Sequence, residues 1–458
     1  MSDYLDSENI IVEEQNGFRK KRACIDHIYV LTSIIRNRKA QGLPTFSAFI
    51  DMKKAFDWVD RDLLFLKLLQ NGINGKFYDS IKSMYNNPLA CVNLNGNFTS
   101  WFGTTHGVRQ GDVLSPTLFS VFVNDLATEI NDLGLGIPTG DFLVNILLYA
   151  DDIVVLAENE TNLQKVLDHL KIWCSKWRMM VNNSKTQIVH FRKKGENVTN
   201  FSFKFGEVDL NIVSKYKYLG VVLDEFLDFD VTAETLSNAA GRALGSVISK
   251  IHRFKDFRYN TFTTLFHSCV VPILDYCSGV WGFKSTTKCD AVQNRAIRYF
   301  LGVHKFAPIL AINGDMGWDN CILRHRLNMV RLWNRLISMP DVRVTKQIFM
   351  WDYRLNSNNW AHDMLKLFTE IGLQNNFYNL ETCNLSSIKE HLETFYNSNW
   401  KIKVMEKPKL KTYTTFKKDY GLENYLRRNL SRGKRSLLAQ FRFGILPLKI
   451  ETGRFSNI

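Results

Sequence analysis

The fold of this chain is decided by a four-residue stretch, Tyr149-Ala150-Asp151-Asp152. Apolar runs flank it at residues 142–148 and 153–157. Both runs have strand length and are rich in leucine and β-branched residues, so they predict a β-hairpin with two carboxylates at its tip. Adjacent carboxylates repel each other, and a divalent cation would remove that cost. An isolated Asp-Asp pair is more often a solvated turn, so a metal site needs support from elsewhere in the chain.

That support comes from two upstream stretches. A second apolar, strand-like run at residues 46–50 also ends in a carboxylate, Asp51. Between the two carboxylate stretches, residues 107–116 read Gly-Val-Arg-Gln-Gly-Asp-Val-Leu-Ser-Pro and open a predicted helix. In this order and spacing, the three stretches resemble motifs A, B and C of the reverse transcriptases of non-LTR (LINE-like) retrotransposons. The resemblance is firm over residues 14–225 and looser to about residue 340.

The resemblance implies an α+β fold, the right-hand polymerase palm, in which helices pack on an antiparallel sheet. An all-helical thumb and C-terminal region would follow. The implied domains are partial fingers at 1–44, a reverse transcriptase palm at 45–225, a helical thumb at 226–340, and a basic, mostly helical C-terminal region at 341–458. Local patterns add detail: Asp60 is a predicted N-cap of a leucine-rich helix closed by Gly72, and Asn95-Gly96 predicts a hairpin turn.

Composition indicates a globular protein with a polyanionic partner. Hydrophobic residues make up 45% and charged residues 23% of the 458 positions. No apolar run is long enough to predict a membrane span, so we expect no membrane partner. Lys and Arg total 59 against 45 Asp and Glu, a net charge of +14, which favours nucleic acid through counterion release. The eight cysteines form no Cys-x-x-Cys pair, as is typical of reduced thiols in an intracellular protein.

The resemblance also implies a two-metal nucleotidyl transfer to a primer 3′-hydroxyl. Its implied cofactor is a pair of Mg²⁺ ions, with Mn²⁺ as a substitute, because hard cations prefer oxygen ligands. Asp51 and Asp151 would bridge the metals, Asp152 would support them, and Met52 would offer its backbone carbonyl. Lys185, matched to the motif D lysine, would act as general acid toward the leaving pyrophosphate.

Two further sets of residues are implied for the substrates. One set would contact the incoming nucleotide, with Phe56 as a steric gate against the 2′-hydroxyl, and consists of Phe56, Arg109, Gln110 and Gly111. The other would hold the primer strand and consists of Tyr218, Leu219 and Gly220. The implied partners are an RNA template, a DNA primer and deoxynucleoside triphosphates. The implied location is intracellular, and nuclear when the protein acts, while the oligomeric state stays open.

The chain departs from the family at its start. About fourteen residues precede the block Gln15-Asn16-Gly17-Phe18-Arg19, where family members have more than a hundred. We therefore expect an internal piece of a longer element protein, truncated at the fingers, whose own activity is open. The alternatives are another palm polymerase, such as a group II intron maturase or a telomerase-like enzyme, and a non-catalytic nucleic-acid-binding relic of a retroelement.

The C-terminal region has two interpretations. Its basic stretch, residues 401–435, is interleaved with aromatic residues: Tyr413, Phe416, Tyr420 and Tyr425. Such a pattern suits binding of nucleic-acid backbone and stacking on bases. It is equally typical of a solvated basic helix face.

Overall fold

The computed structural model describes residues 1–253, 256–283, 286–355 and 357–446. It divides the chain into two compact units, Met1–Asp228 with Met339–His362, and Phe229–Ser338 with Asp363–Ile458. The first unit combines a sheet with helices and the second is helical, so the predicted α+β class is confirmed. Among the described residues, no helix is both long and apolar enough to cross a bilayer.

A five-stranded sheet forms the centre of the first unit. Its strands are β1 (Thr45–Asp51), β2 (Ile146–Tyr149), β3 (Asp152–Ala157), β4 (Gln187–Phe191) and β5 (Asn211–Ile212). Their spatial order is β5-β4-β1-β3-β2, and every pair is antiparallel except β4 with β5. Strand β1 lies in the middle and is buried up to its last residue, which explains its unbroken apolar pattern.

Helices accompany this sheet in the first unit. They are Ser2–Ser7, Cys24–Ala40, Arg61–Gln70, Gly75–Met84, Ser115–Asn131, Glu160–Lys176 and Val344–Arg354. The helices Cys24–Ala40, Ser115–Asn131 and Glu160–Lys176 pack against the strands. The Asp60 side chain accepts hydrogen bonds from the backbone N–H groups of Asp62 and Leu63, so the predicted cap of the Arg61–Gln70 helix is confirmed. The Ser115–Asn131 helix buries Leu118, Phe122 and Leu126 in the core.

Short two-stranded hairpins complete the first unit. The paired strands are Leu89–Ala90 with Phe102–Gly103, Asn93–Leu94 with Asn97–Phe98, Ile137–Pro138 with Leu143–Val144, Lys204–Phe205 with Val208–Asp209, and Lys215–Tyr218 with Val221–Asp224. Asn95 and Gly96 both have positive φ, as a two-residue hairpin turn requires, so that predicted turn is confirmed.

Residues 339–362 belong with the sheet unit, whereas the sequence pattern put residues from 341 onward in a C-terminal region. The helix Val344–Arg354 packs on Cys24–Ala40 around the fully buried Asp352. The Asp352 carboxylate accepts hydrogen bonds from Asn37 Nδ2 at 2.6 Å and Tyr29 Oη at 3.2 Å. Partners so distant in sequence leave no local pattern, which is why this return of the chain was not predicted.

The second unit is helical among its described residues. Its helices are Phe229–Arg253, Tyr259–Cys269, Val271–Leu274, Ser278–Trp281, Thr287–Leu301, Ile309–Met316, Cys321–Ile337, Gln374–Tyr378, Leu385–Met405, Lys411–Phe416, Asn424–Arg427 and Arg432–Phe443, with a 3₁₀ turn at Pro408–Leu410. The helix Trp360–Glu370 begins in the first unit and continues into the second.

Three of the four aromatic residues in the basic stretch serve this unit's interior. Tyr413 and Tyr425 donate their hydroxyl hydrogens to the buried carboxylate of Asp315, at 2.9 and 3.1 Å. Tyr420 donates to the backbone carbonyl of Trp318. These three tyrosines are engaged in structural hydrogen bonds. They therefore do not support the interpretation of the basic stretch as a base-stacking surface.

Candidate active site

Three carboxylates lie at one edge of the central sheet. Asp51 ends β1 and is the register partner of Asp152, which begins β3. Asp151 occupies the turn between β2 and β3 and is exposed. The pKa of Asp152 is raised by partial burial and then by the negative charges of Asp151 and Asp51. The three predicted ligands are therefore brought together, and their charges are mutually unfavourable without a cation.

The turn that carries Asp151 has an unusual backbone. Ala150 adopts a φ of 58°, in the left-handed region that a side chain disfavours. Tyr149 pairs with Asp152 across this turn, so the β2–β3 hairpin closes tightly. The predicted hairpin with two carboxylates at its tip is confirmed.

A neighbouring loop holds the backbone of Asp51 on both sides. Asn182 N–H donates to the Asp51 carbonyl at 2.7 Å, and Asp51 N–H donates to Thr186 Oγ1 at 3.1 Å. Met52, the next residue, forms an isolated antiparallel bridge with Val181. The Met52 carbonyl takes part in neither of the two hydrogen bonds that hold the Asp51 backbone. Lys185 is exposed in this same loop, directly before the buried Thr186.

Phe56 lies in an aromatic stack five positions after Asp51. Its ring is stacked on Phe119, with centroids 4.7 Å apart. The exposed Phe18 meets it edge-on at 6.3 Å. Because Phe56 stacks on Phe119 and is itself half-buried, its ring has a restricted position.

The loop containing Arg109, Gln110 and Gly111 is tied to the Phe56 loop. Val108 N–H donates to the Phe56 carbonyl at 2.9 Å. A Cβ on Gly107 would lie 2.8 Å from the Asp57 carbonyl oxygen, so this close approach requires glycine.

The predicted nucleotide contacts of this loop are exposed. Gln110 Nε2 donates to Asp57 Oδ1 at 2.8 Å. Arg109 donates to the Met84 carbonyl at 2.6 Å. Gly111 has a φ of 87° and open space beside it. Arg109 and Gln110 therefore have protein partners that a nucleotide would have to replace.

The predicted primer-holding residues divide into a buried and an accessible part. Tyr218 is buried, and its hydroxyl lies 3.4 Å from His27 Nδ1. Leu219 and Gly220 form the hairpin turn, both with positive φ, and are half-buried. Burial, then the charges of Asp152 and Asp51, raise the pKa of the neighbouring Tyr216 to about 12. The hairpin therefore lies beside the carboxylates, and its tip is less buried than Tyr218.

Within the described residues, no three His, Cys, Asp or Glu side chains converge as a preformed metal cage.

Two residues that lie beside the carboxylates were given no role by the sequence analysis. Gln15 lies in a block matched to the family, but nothing in that block predicted that Gln15 would lie beside the Asp-Asp turn. Thr186 carried no signal at all, because its hydrogen bond to the Asp51 N–H depends on strand pairing across the sheet.

Comparison with known proteins agrees with the motifs. The family model "Reverse transcriptase (RNA-dependent DNA polymerase)" matches residues 1–223. The probable RNA-directed DNA polymerase from transposon BS of Drosophila melanogaster is 27% identical over 307 residues, covering 65% of this chain and 33% of the relative. The RNA-directed DNA polymerase from mobile element jockey of Drosophila funebris is 26% identical over 311 residues, covering 66% and 33%.

The chain thus spans about one third of the length of these relatives.

Among solved structures, apo telomerase from Candida tropicalis is similar with a TM-score of 0.39 and 14% identity, over 86% of this chain and 58% of that one. Reverse transcriptases generally use divalent metal ions.

The three motifs predicted this family, and the family model and the named relatives confirm it. Residues 1–223 of this chain form a reverse transcriptase domain of the non-LTR retrotransposon type.

Proposed function

We propose that this chain extends a DNA primer on an RNA template, using deoxynucleoside triphosphates and two Mg²⁺ ions. The observation that carries the proposal is the placement of Asp51 opposite Asp152, with Asp151 in the adjoining turn. Similarity to RNA-directed DNA polymerases of mobile elements supports the choice of template and product.

The residues at the sheet edge fit hard divalent cations. Their donors are carboxylate oxygens, and the raised pKa of Asp152 reflects partial burial and crowding by two other negative charges. Mg²⁺ is commonly held by one or two carboxylates together with substrate phosphates and water, so a preformed cage of three protein ligands is not required. Asp51, Asp151, Asp152 and the Met52 carbonyl would hold the ions. When bound, the ions would neutralise charge on the attacking and leaving oxygens.

The remaining residues would bind and orient the substrates. Phe56, fixed by Phe119, would exclude a nucleotide with a 2′-hydroxyl. Gln110 and Gly111 would lie along the nucleotide, and Arg109 would exchange the Met84 carbonyl for a phosphate. Lys185 would donate a proton to the leaving pyrophosphate. Leu219 and Gly220 would support the primer strand.

Primer extension with the full chain tests the proposal. The substrate is an RNA template annealed to a DNA primer, with deoxynucleotides and Mg²⁺. We expect extension by the natural chain and a loss of about 100-fold or more in Asp51→Asn and Asp151→Asn. The matched control is Asp112→Asn, whose side-chain oxygen can still accept the Leu114 N–H and which should keep most activity.

Two results would contradict the proposal. Binding of template and primer without extension, in either Mg²⁺ or Mn²⁺, would favour a nucleic-acid-binding role instead. A loss in Asp112→Asn as large as that in Asp51→Asn would contradict the assignment of the ligands.

A further inference from the structure

The N-terminal segment covers the outer edge of the central sheet. Strand β2 is an edge strand, and residues 14–16 pair alongside it. Asn16 N–H donates to the Leu148 carbonyl at 2.8 Å, and Leu148 N–H donates to the Glu14 carbonyl at 2.9 Å. This short parallel pairing places Gln15, which is fully buried, next to the end of β2.

From there the Gln15 side chain reaches the turn that carries the carboxylates. Its Oε1 accepts hydrogen bonds from Ala150 N–H at 3.0 Å and from Gly17 N–H at 2.7 Å. Two backbone donors converge on this atom, so it must be the carbonyl oxygen of the amide. The Ala150 N–H, which would otherwise be buried in the hairpin tip without a partner, thereby has a hydrogen-bond acceptor.

The hydrogen bond falls on the residue whose conformation decides where the carboxylates lie. Ala150 has a φ of 58°, a left-handed conformation that an L-residue disfavours and that needs support from its surroundings. A change in this dihedral angle would redirect Asp151 and Asp152, the two residues that follow. The Gln15 amide holds the N–H of this same residue.

Gly17 also packs directly against the backbone of the turn at Ala150. A Cβ added to Gly17 would lie 2.3 Å from the Ala150 nitrogen, a distance that real atoms do not adopt. The backbone of the N-terminal segment therefore presses directly on the turn. Any side chain at this position would push the turn away or break the pairing with Leu148.

We propose that Gln15 is a positioning residue of the active site: its amide oxygen, with Gly17 beside it, locks the Ala150 turn so that Asp151 and Asp152 stay aligned with Asp51. The inference rests on the proposed function for its catalytic meaning, but the lock itself is a property of the metal-free chain. A segment about 135 positions away in sequence thus becomes part of the catalytic machinery without touching substrate.

The sharpest variant is Gln15→Met, which keeps the volume and removes the acceptor. Among the described residues, Gln15 Nε2 has no hydrogen-bond partner, so the substitution removes only the two hydrogen bonds that Oε1 accepts, from Ala150 N–H and Gly17 N–H. The matched control is Gln164→Met. Gln164 Oε1 also accepts a backbone N–H, from Lys204 at 2.9 Å, but it lies on the Glu160–Lys176 helix and does not contact the turn.

Amide hydrogen exchange in the metal-free protein measures directly how firmly the Ala150 turn is held. We expect faster exchange across residues 146–152 in Gln15→Met, and unchanged exchange there in Gln164→Met. Mn²⁺ affinity, measured by electron paramagnetic resonance, should fall about 10-fold in Gln15→Met only, the lower end of effects seen when a ligand loses its supporting hydrogen bond. In primer extension, kcat should fall while KM for the deoxynucleotide changes little.

Gly17→Ala provides a second variant in which Gln15 is intact. It should reproduce the faster exchange and the weaker Mn²⁺ binding by displacing the same turn. All variants are compared well below their own melting temperatures, so that global unfolding does not contribute to exchange.

Unchanged exchange at the turn in both variants would overturn the lock. Faster exchange with natural Mn²⁺ affinity would reduce Gln15 to a structural closure of the sheet edge. Because neither measurement requires turnover, a chain that fails to extend primers would refute the proposed function and leave these two outcomes readable.

Discussion

Asp51 lies directly opposite Asp152 across the antiparallel pair of β1 and β3. Residues paired in this way direct their side chains to the same face, with Cβ atoms about 4.5–5.5 Å apart. Two anions at that distance oppose folding of the hairpin tip unless a cation joins them. If the proposed ions bind here, the pair would link the stability of this sheet edge to metal binding.

Replacing Asp152 with Asn should make this link measurable. The raised pKa of Asp152 means that its ionised form is disfavoured in the folded state, so removing the charge should raise the melting temperature in the presence of a chelator. The same substitution should shrink the rise in melting temperature that Mg²⁺ or Mn²⁺ produces in the natural chain. Asp79→Asn, at an exposed helix position, is the control and should leave both quantities unchanged. A larger metal-induced rise in Asp152→Asn would contradict the site.

Thr186 should prove important for holding the backbone of Asp51. In Thr186→Val the Asp51 N–H loses its acceptor at a buried position, and we expect a loss of about 1–3 kcal/mol in unfolding free energy. Thr186→Ser keeps the hydroxyl and should lose clearly less. Urea unfolding of the two variants provides the comparison, and a loss in Thr186→Ser as large as that in Thr186→Val would contradict a dominant role for the hydrogen bond.

Phe56→Val should relax selection against ribonucleotides. The smaller side chain removes the ring that Phe119 holds in place, and we expect the preference for deoxynucleotides to fall by about 10- to 200-fold. Single-nucleotide incorporation kinetics with dNTP and rNTP give the ratio. Phe102→Val, at an exposed hairpin position, serves as the control. An unchanged ratio in Phe56→Val would remove Phe56 from this role.

Lys67 offers a test of pH dependence in the sheet unit. Its ammonium is buried, pairs with Asp125 at 2.6 Å, and lies 3.7 Å from the ring centroid of Trp177. Burial lowers the pKa of Lys67 from 10.5 to about 8, so between these values the unfolded chain binds more protons and this residue's contribution to stability rises with pH.

The stability of Lys67→Met relative to the natural chain should therefore be highest at about pH 7.5 and should fall by up to about 3 kcal/mol toward pH 10. Urea midpoints of both proteins at the two pH values give the difference. Lys82→Met, at an exposed position, should show no such change. A gap independent of pH would contradict the lowered pKa.

Asp352 should produce the opposite dependence in acid. Burial raises its pKa from 3.8 to about 6, against the hydrogen bond from Asn37, so the folded chain binds the proton more tightly than the unfolded chain. Its contribution to stability is fully present below about pH 3.8 and is lost as pH rises through about 6, a change of at most about 3 kcal/mol.

Asp352→Asn should abolish this part of the pH dependence. The measurement is the difference in unfolding free energy between variant and natural chain at about pH 4.5 and pH 7. Asp341→Asn, exposed in the same returning segment, is the control. If the difference is the same at both pH values, Asp352 does not titrate in this range.

Local features were predictable because neighbours in sequence create them. The Asp60 cap, the Asn95-Gly96 turn and the hairpin ending in Asp151 and Asp152 follow from side-chain chemistry within a few residues. The family followed from the order of three such features. By contrast, the return of residues 339–362 to the sheet depends on Asp352 finding donors on a helix more than three hundred positions earlier.

The sequence by itself determined which residues we propose for the chemistry: the carboxylates, the glycine-rich turn and Phe56. Only the tertiary structure decided how they are held, through Gln15 on Ala150, Thr186 on Asp51, and Phe119 behind Phe56. The physical reason is that hydrogen bonding and stacking between distant segments depend on the register of strands and the packing of helices. No periodicity along the chain encodes those distances.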